Sequence, residues 1–505
     1  MPFVRTALCA CALGLAACGS SAPESQPGGA GGGGLPALAV PLSHQGRWIT
    51  DAQGRVVTFH GINVAAKLRP YTPQSQGFTQ EHAAMLAREG FDTVRVWVFW
   101  NAIEPAPGQW DDTSLVELKQ FIGWLHQYNV STTLNFAQVV WSEKFGGLGF
   151  PDWAADTDGL PPMNFGSLIQ DGLLEPALHR AFDNFWANEA FPGSVGLQDQ
   201  FAQAWVHVAS YFRDVPGVVA YDLVNEPMGG SQSPTCLTPL VGCPLFDLVS
   251  LTPFNQRVVA AIRQVDTSHL IYYEPEVLTA SGIQQSQVSA GTDPGLVYTF
   301  HYYPQTGDSG LNLAVPLALS FNERTAAANG DGLLLTEFGA TDDLTQIGAI
   351  IDGCDQAMMG WQYWAWYSTE PTGNPATPTT EVDNPQEGIV VDPAKAPLES
   401  NLKANKLEVL ARPYPYFIAG TPTSWNFDTS SRTFTLNYST TPVAGGAPLT
   451  APTVVVVPRR LYPGGAYQVK VTGATVTSAA GATALALQAQ PGAQAVTVTV
   501  APQSH

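Results

Sequence analysis

The sequence predicts an α/β protein, a (β/α)8 TIM barrel followed by a small C-terminal antiparallel β-sandwich. Eight short runs rich in β-branched and aromatic residues lie between Val56 and Trp366. Amphipathic helical stretches separate many of them, which is the pattern of βα units around a parallel sheet. Eight such units over about 370 residues fit a barrel with long loops. After Arg412 the texture changes to short strand-like runs punctuated by Gly and Pro, as in a sandwich.

In chain order the barrel runs are Val56–Ile62, Thr93–Phe99, Ser131–Ala137, Val218–Val224, Leu270–Glu274, Leu296–His301, Leu333–Glu337 and Gly360–Trp366. Helical spacing of apolar residues marks Gln80–Glu89, Thr113–Tyr128, Gln198–Phe212, Phe254–Val265 and Val315–Asn329. In the last 90 or so residues the strand patterns are Thr433–Tyr438, Thr453–Val457, Tyr467–Thr472 and Ala495–Val500. The expected division is 1–17 signal peptide, 18–41 flexible tether, 42–412 barrel and 413–505 sandwich. No internal repeat at a fixed period is evident.

Composition narrows the function classes. Of 505 residues, 45% are hydrophobic and 10% aromatic, enough for a sizeable core, whereas only 13% are charged. Lys and Arg number 22 against 42 Asp and Glu, a net charge of −20. No basic cluster exists to hold a phosphate backbone, so a nucleic-acid partner is not expected. An acidic surface suits a soluble exported protein that acts on a neutral or cationic ligand. No zinc spacing, phosphate loop or Ser-His-Asp set is present, so no metal and no cofactor is expected, and the chain is expected to be a monomer.

The first residues carry a sorting signal. Arg5 precedes an apolar stretch, Thr6 to Ala17, that is too short to span a bilayer. It ends Leu15-Ala16-Ala17-Cys18, which resembles a bacterial lipobox and implies cleavage before Cys18 and lipidation of its thiol. Gly19 to Gly34 is a Gly/Ser/Pro tether, whose random-coil span is roughly 22 Å. The expected location is therefore outside the cytoplasm, anchored to a membrane as a lipoprotein, or secreted. In such a compartment Cys236 and Cys243, seven apart, can form a disulfide, while Cys354 reads as a buried hydrophobe.

The chemistry lies where barrel strands end, because active sites occupy that rim. The fourth run continues into Asn225-Glu226-Pro227, and the seventh ends Thr336-Glu337-Phe338-Gly339. Two carboxylates thus emerge on one rim from apolar strands. Glycoside cleavage needs such a pair: one carboxyl protonates the leaving oxygen while the other stays ionised and attacks the anomeric carbon, about 5–5.5 Å away in retaining enzymes.

Together these segments resemble glycoside hydrolase family 5 and, within it, the endoglycoceramidases. The resemblance covers nearly the whole chain beyond the tether and rests on TVRVWVFW around Arg95, KFGGLGFPDWA at 144–154, AFDNFW at 181–186, YDLVNEP at 221–227, HYYP at 301–304, TEFG at 336–339, WQYWAW at 361–366 and RPYPYFIAGTP at 412–422. It implies Glu226 as acid/base and Glu337 as nucleophile. Asn225 would bond the sugar 2-hydroxyl, and Arg95 and Tyr303 would hold Glu337 ionised and aimed. His301 is either a neighbour of the acid/base or a satisfied core histidine. Trp364, Trp186 and Trp141 are candidates for stacking on sugar rings, and Lys67 either contacts a sugar hydroxyl or is solvated. The substrate class implied is a glycolipid cleaved between its oligosaccharide and ceramide. A family 5 enzyme on soluble glycans and a non-catalytic carbohydrate-binding lipoprotein are the other readings.

One stretch departs from the family. After the third strand, members present Asp-Met-His-Gln-Asp, where this chain has Asn135-Phe136-Ala137-Gln138-Val139. Asn135 and Gln138 remain as substrate-binding candidates, but a His and both carboxylates are gone. Losing those hydrogen-bond partners should shift or relax the sugar accepted beside the scissile bond, with galactose in place of glucose one outcome. Two lipid chains need an apolar route, for which Phe145–Trp153, Leu160–Leu168 and Leu237–Val249 are the candidate loops.

Overall fold

The computed structural model describes residues 34–165, 168–190, 194–237, 240–282, 284–304, 308–371 and 381–503. The signal segment, Cys18 and tether residues 19–33 lie outside the described residues; the end of the expected flexible tether is instead packed, with Leu35 buried in the core and the Ala39 carbonyl accepting from Ala52 N–H at 2.9 Å. Eight parallel strands close into a barrel in chain order: His60–Val64, Thr93–Val98, Ser131–Phe136, Val218–Asp222, Leu270–Tyr273, Leu296–Tyr302, Gly332–Phe338 and Trp361–Tyr363. Every residue of these strands is buried, consistent with a packed interior inside a ring of helices. Helices Gln80–Glu89, Thr113–His126, Leu197–Phe212, Thr252–Ile262 and Asp308–Asn329 match the periodic stretches to within a few residues, apart from the earlier start of the last. No described helix is long and apolar enough to cross a membrane.

The first sequence run is two strands rather than one. Val56–Val57 turns away from the barrel and pairs with Phe417 and Ile418, so only His60 onward enters it. With Ser43–Gln45 and Trp48–Thr50 it extends a seven-stranded sheet that includes Tyr414–Ile418, Thr453–Val456, Ala484–Ala489 and Ala474–Val476. A second sheet of Thr421–Asp428, Thr433–Ser439, Tyr467–Thr472 and Ala495–Pro502 completes the two-sheet unit. Its core is Ile418, Trp425, Phe427, Phe434, Leu436, Val455, Leu485, Leu487 and Val498. The residues between 42 and 59 thus belong by pairing with the C-terminal sheet, because β-ladder bonds follow spatial neighbours and not chain order.

That sheet is fastened to the barrel at the end where strands begin. Burial holds His60 well below the usual imidazole value, and its neutral ring stacks on Trp361 at 4.2 Å and Tyr414 at 3.8 Å. The Tyr414 hydroxyl donates to Asp92 at 2.7 Å. Arg412, 1% exposed, donates to Asp352 at 2.6 Å and to Asp355 at 3.5 Å, and the Trp425 indole donates to Asp355 at 2.9 Å. The opposite end, where strands finish, stays open.

Burial raises Asp355 to about 6 although Arg412 pulls it down. Removing the cation leaves an uncompensated buried charge, so Arg412→Met should lose about 3 kcal/mol of stability at pH 8. The loss should shrink at pH 5, where Asp355 binds a proton in the folded state; denaturant midpoints at the two pH values check this.

Candidate active site

Arg95 on the second strand is fully buried at the centre of the open end. Its Nε donates to Asp222 at 2.7 Å, Nη1 to Asn63 at 3.1 Å and Glu337 at 2.5 Å, and Nη2 to Asn225 at 3.0 Å and Glu274 at 2.7 Å. One planar guanidinium thereby fixes groups from or just beyond strands one, four, five and seven.

Glu226 follows the fourth strand with φ +44°, a left-handed conformation unusual outside glycine. It is held there from both sides: Glu226 N–H donates to Glu274 at 2.9 Å, and Gln138 Nε2 donates to the carbonyls of Asn225 at 3.0 Å and Glu226 at 2.5 Å. This turns its side chain, 25% exposed, into the cleft, where it meets His301 Nδ1 at 2.8 Å. Glu337, 5% exposed, accepts from Tyr303 at 2.8 Å, and His301 Nδ1 lies 3.4 Å from it. A carboxylate oxygen from each of Glu226 and Glu337 and a ring nitrogen of His301 lie within 4.8 Å of one another. The two carboxyls therefore face each other across the gap that a double displacement needs.

Four carboxyls, Asp222, Glu226, Glu274 and Glu337, share this space with two potential cations, Arg95 and His301. Burial works against charge on His301, but Glu274 and Glu337, with the bond to Glu226, lift its pKa well above the usual value and favour its protonated form. Burial also opposes charge on Glu274, yet His301 and Arg95 overcome it and hold Glu274 at about 2. Burial pushes Asp222 up to about 7 against the pull of Arg95. Glu337 is likewise raised by burial, with His301 and Arg95 pulling down and Glu226 and Glu274 pushing up. Arg95 and Tyr303 both bond Glu337 as expected, and His301 joins them. His301 supplies the larger opposing charge, and Arg95 spreads its own over three carboxylates.

Other expected residues divide. Trp364, 5% exposed, stands on the rim with its indole N–H on Glu387 at 2.7 Å and its ring 5.2 Å from Trp97. Lys67, also 5% exposed, is not a solvated lysine: its Nζ lies over the Trp364 ring at 5.1 Å and the Trp97 ring at 5.7 Å. Gln138 acts as a brace on backbone carbonyls, and Asn135 is fully buried with Nδ2 3.5 Å from the Asp222 carbonyl. Trp141 is fully buried against Phe150, Phe182 and Phe185, so it is core and not a stacking surface. Trp186 packs edge-on to Phe246 and Phe254 and donates to the Met228 carbonyl at 2.8 Å, which makes it a support for the loop after Glu226. Cys236 and Cys243 are joined as a disulfide, and Cys354 is a buried free thiol.

Sequence reasoning missed four contributors: Asn63, Asp222, Glu274 and Trp97. A signal existed for two of them. Glu274 ends the fifth strand as Glu337 ends the seventh, and Trp97 stands two residues after Arg95, hence on the same inward face. Trp97 joins Ala65, Phe99, Ala137, Leu148 and Trp364 in an apolar cluster on the rim. Its indole N–H has no hydrogen-bond partner among the described residues. The face that loses polar groups at 135–139 is therefore aromatic and aliphatic.

A closed parallel barrel with two facing acidic side chains at the ends of strands four and seven is the architecture of a glycoside hydrolase. Residues 50–370 match the family model described as Cellulase (glycosyl hydrolase family 5), and 412–500 match the Glycoside hydrolase family 5 C-terminal domain. The chain belongs to glycosyl hydrolase family 5 and is a glycosidase. It is 28% identical over 480 residues to Endoglycoceramidase I of Rhodococcus hoagii (strain 103S), covering 91% of this chain and 88% of that protein. Among solved structures it resembles endo-glycoceramidase II from Rhodococcus sp. as a ganglioside GM3 complex and as a lactosyl-enzyme intermediate. Each has a TM-score of 0.71 at 27% identity and covers 90% of this chain and 99% of that one.

Glu274→Gln keeps shape but removes the charge that most favours the His301 imidazolium. Stability linked to the raised His301 value is complete below about 6.5 and drains as pH climbs through the folded value. In the variant that window should close at lower pH. The His301 titration followed by NMR should move to lower pH in the variant; an unmoved titration would show that Glu274 does not set this charge.

Proposed function

We propose that this chain is a retaining endo-glycosidase that hydrolyses the β-glycosidic bond between an oligosaccharide and ceramide in glycosphingolipids. The observation that carries this reading is the facing pair Glu226 and Glu337, within 4.8 Å through His301, on a chain alike over nine-tenths of its length to an endoglycoceramidase.

In the first step Glu337 attacks the anomeric carbon while Glu226 delivers its proton to the ceramide oxygen, giving a glycosyl-enzyme ester and free ceramide. In the second, Glu226 takes a proton from water, which attacks the anomeric carbon and frees Glu337. Tyr303 and Arg95 aim the two Glu337 oxygens. Asn225, held by Arg95 and by the Gln138 carbonyl at 3.2 Å, is placed to bond the 2-hydroxyl. Trp364, with Lys67 over its ring at 5.1 Å, is the aromatic candidate for contact with the sugar.

The apolar character of Ala137, Val139 and Trp97 supports a changed sugar preference, because hydroxyls that a polar wall would bind find no partner there. The leader and Cys18 support an exported, membrane-anchored location. Of the three loops considered for a lipid route, Phe145–Trp153 is excluded, since Phe145, Leu148 and Phe150 are buried. Leu160 and Met163 are exposed, as are several residues between 240 and 249.

A 2-fluoro glycosyl analogue should label Glu337, as read by peptide mapping; a label elsewhere overturns the mechanism. Glu226→Ala should slow natural glycolipid cleavage by about 10²–10⁴ yet spare substrates with activated aryl leaving groups, which need no proton. On a panel of glucosyl- and galactosyl-linked glycolipids, turnover should not be confined to glucose; strict glucose preference counts against the altered wall as a specificity device. Turnover of carboxymethylcellulose without turnover of detergent-dispersed glycolipid would favour a soluble-glycan enzyme instead.

A further inference from the structure

We propose that residues 240–249, in the loop that follows Glu226, form a rigid apolar surface that seats in the outer layer of a lipid bilayer. This rests on the glycolipid reading for its purpose, though not for its geometry.

Leu240, Val241, Leu245, Leu248 and Val249 are each 53–67% exposed. The last three lie on the helical run Pro244–Phe246 and Asp247–Leu251 and face outward, while Phe246, Asp247 and Leu251 are buried on its other side. A helix apolar on both faces suits neither a water-facing surface nor a core, and belongs where one side meets protein and the other lipid. Contiguous exposed apolar side chains of this kind mark an interaction site.

Charge decides the partner. From Pro227 to Asn255 the one charged residue is Asp247, in a protein of net charge −20. Asp247 is turned inward onto the Ser286 hydroxyl at 2.8 Å and the Gln287 N–H at 2.7 Å. A protein partner recognised at a patch of this size would meet a polar rim. Here there is an uncharged stretch, which costs no charge desolvation on entering a lipid surface.

The surface is also held stiffly and in the right place. The Cys236–Cys243 disulfide closes the turn. Gly242, at φ +70°, lies where any Cβ would strike the Gln285 carbonyl, so the turn packs directly on the loop after the fifth strand. Both loops rise from the end of the barrel that carries the cleft. The same two loops supply Met228, Val277 and Leu278 to an apolar cavity of about 170 Å³ whose wall includes Glu226.

The test uses the full chain carrying Cys18→Ala, so that no lipid is attached, with and without Leu245→Asp plus Val249→Asp. Co-flotation with phosphatidylcholine vesicles is measured, along with hydrolysis of one glycolipid in those vesicles and in detergent micelles. The Asp pair should lower vesicle binding and vesicle hydrolysis at least tenfold, and lower the micellar rate by a factor at least fivefold smaller. Leu248→Trp should tighten vesicle binding. Equal vesicle binding by parent and Asp pair overturns the proposal. So does a patch that instead mediates self-association, seen as a dimer in sedimentation that the Asp pair dissolves. Patch-dependent vesicle binding without glycolipid cleavage in either medium would leave the surface standing and defeat the glycolipid reading.

Discussion

The Arg95 guanidinium is buried without any exposure and donates to five acceptors drawn from or just beyond four different strands. A buried cation is tolerable only when every donor is used and its charge is balanced. Meeting that condition forces Asn63, Asp222, Asn225, Glu274 and Glu337 into one plane of contacts. Lysine could not do this, since a point charge lacks the fixed fork that sets five directions at once. The positions of nucleophile and sugar-binding amide are thus consequences of satisfying one arginine.

Around it, protonation is set by arithmetic as much as by any single contact. His301 stands between Glu226, Glu337 and Glu274, and the carboxyls around it favour its protonated form. With two cationic groups set among four carboxyls, burial tips Asp222 and Glu337 toward holding protons. Glu226 is the member with a quarter of its side chain open to the cleft, which is where a proton can be passed to a leaving group and recovered from water. The buried members hold the field; the exposed one does the exchange. Fastening of the C-terminal sheet through Arg412, Tyr414 and Trp425 closes the far end of the barrel and leaves the strand ends free to carry loops.

Much of this was legible beforehand. Eight strands, five helices and four sandwich strands were readable because burial on both faces, or on one, leaves a periodic apolar signature. Glu226 and Glu337 were readable because a carboxylate at the end of an apolar strand conflicts with its surroundings unless it has work to do. Strands such as Tyr414–Ile418 and Thr421–Asp428 were not, since Gly and Pro hide the alternation. Nor were the roles of Trp141 and Trp186 on one side and Trp97 on the other. An indole beside a cleft and one inside a core have the same sequence context, and packing alone separates them.

The chain by itself determined the βα order, the two acids, the acidic composition and the loss of polar groups at 135–139, because each is written in local pattern or residue type. Only the folded molecule decided that Val56–Val57 leaves the barrel, that Glu274 and Asp222 join the cluster, that His301 is ringed by carboxyls and that the loop at 240–249 turns its leucines outward. These depend on distances between residues far apart in sequence, and on which groups lose their water. Both are properties of the closed barrel and not of any segment of it.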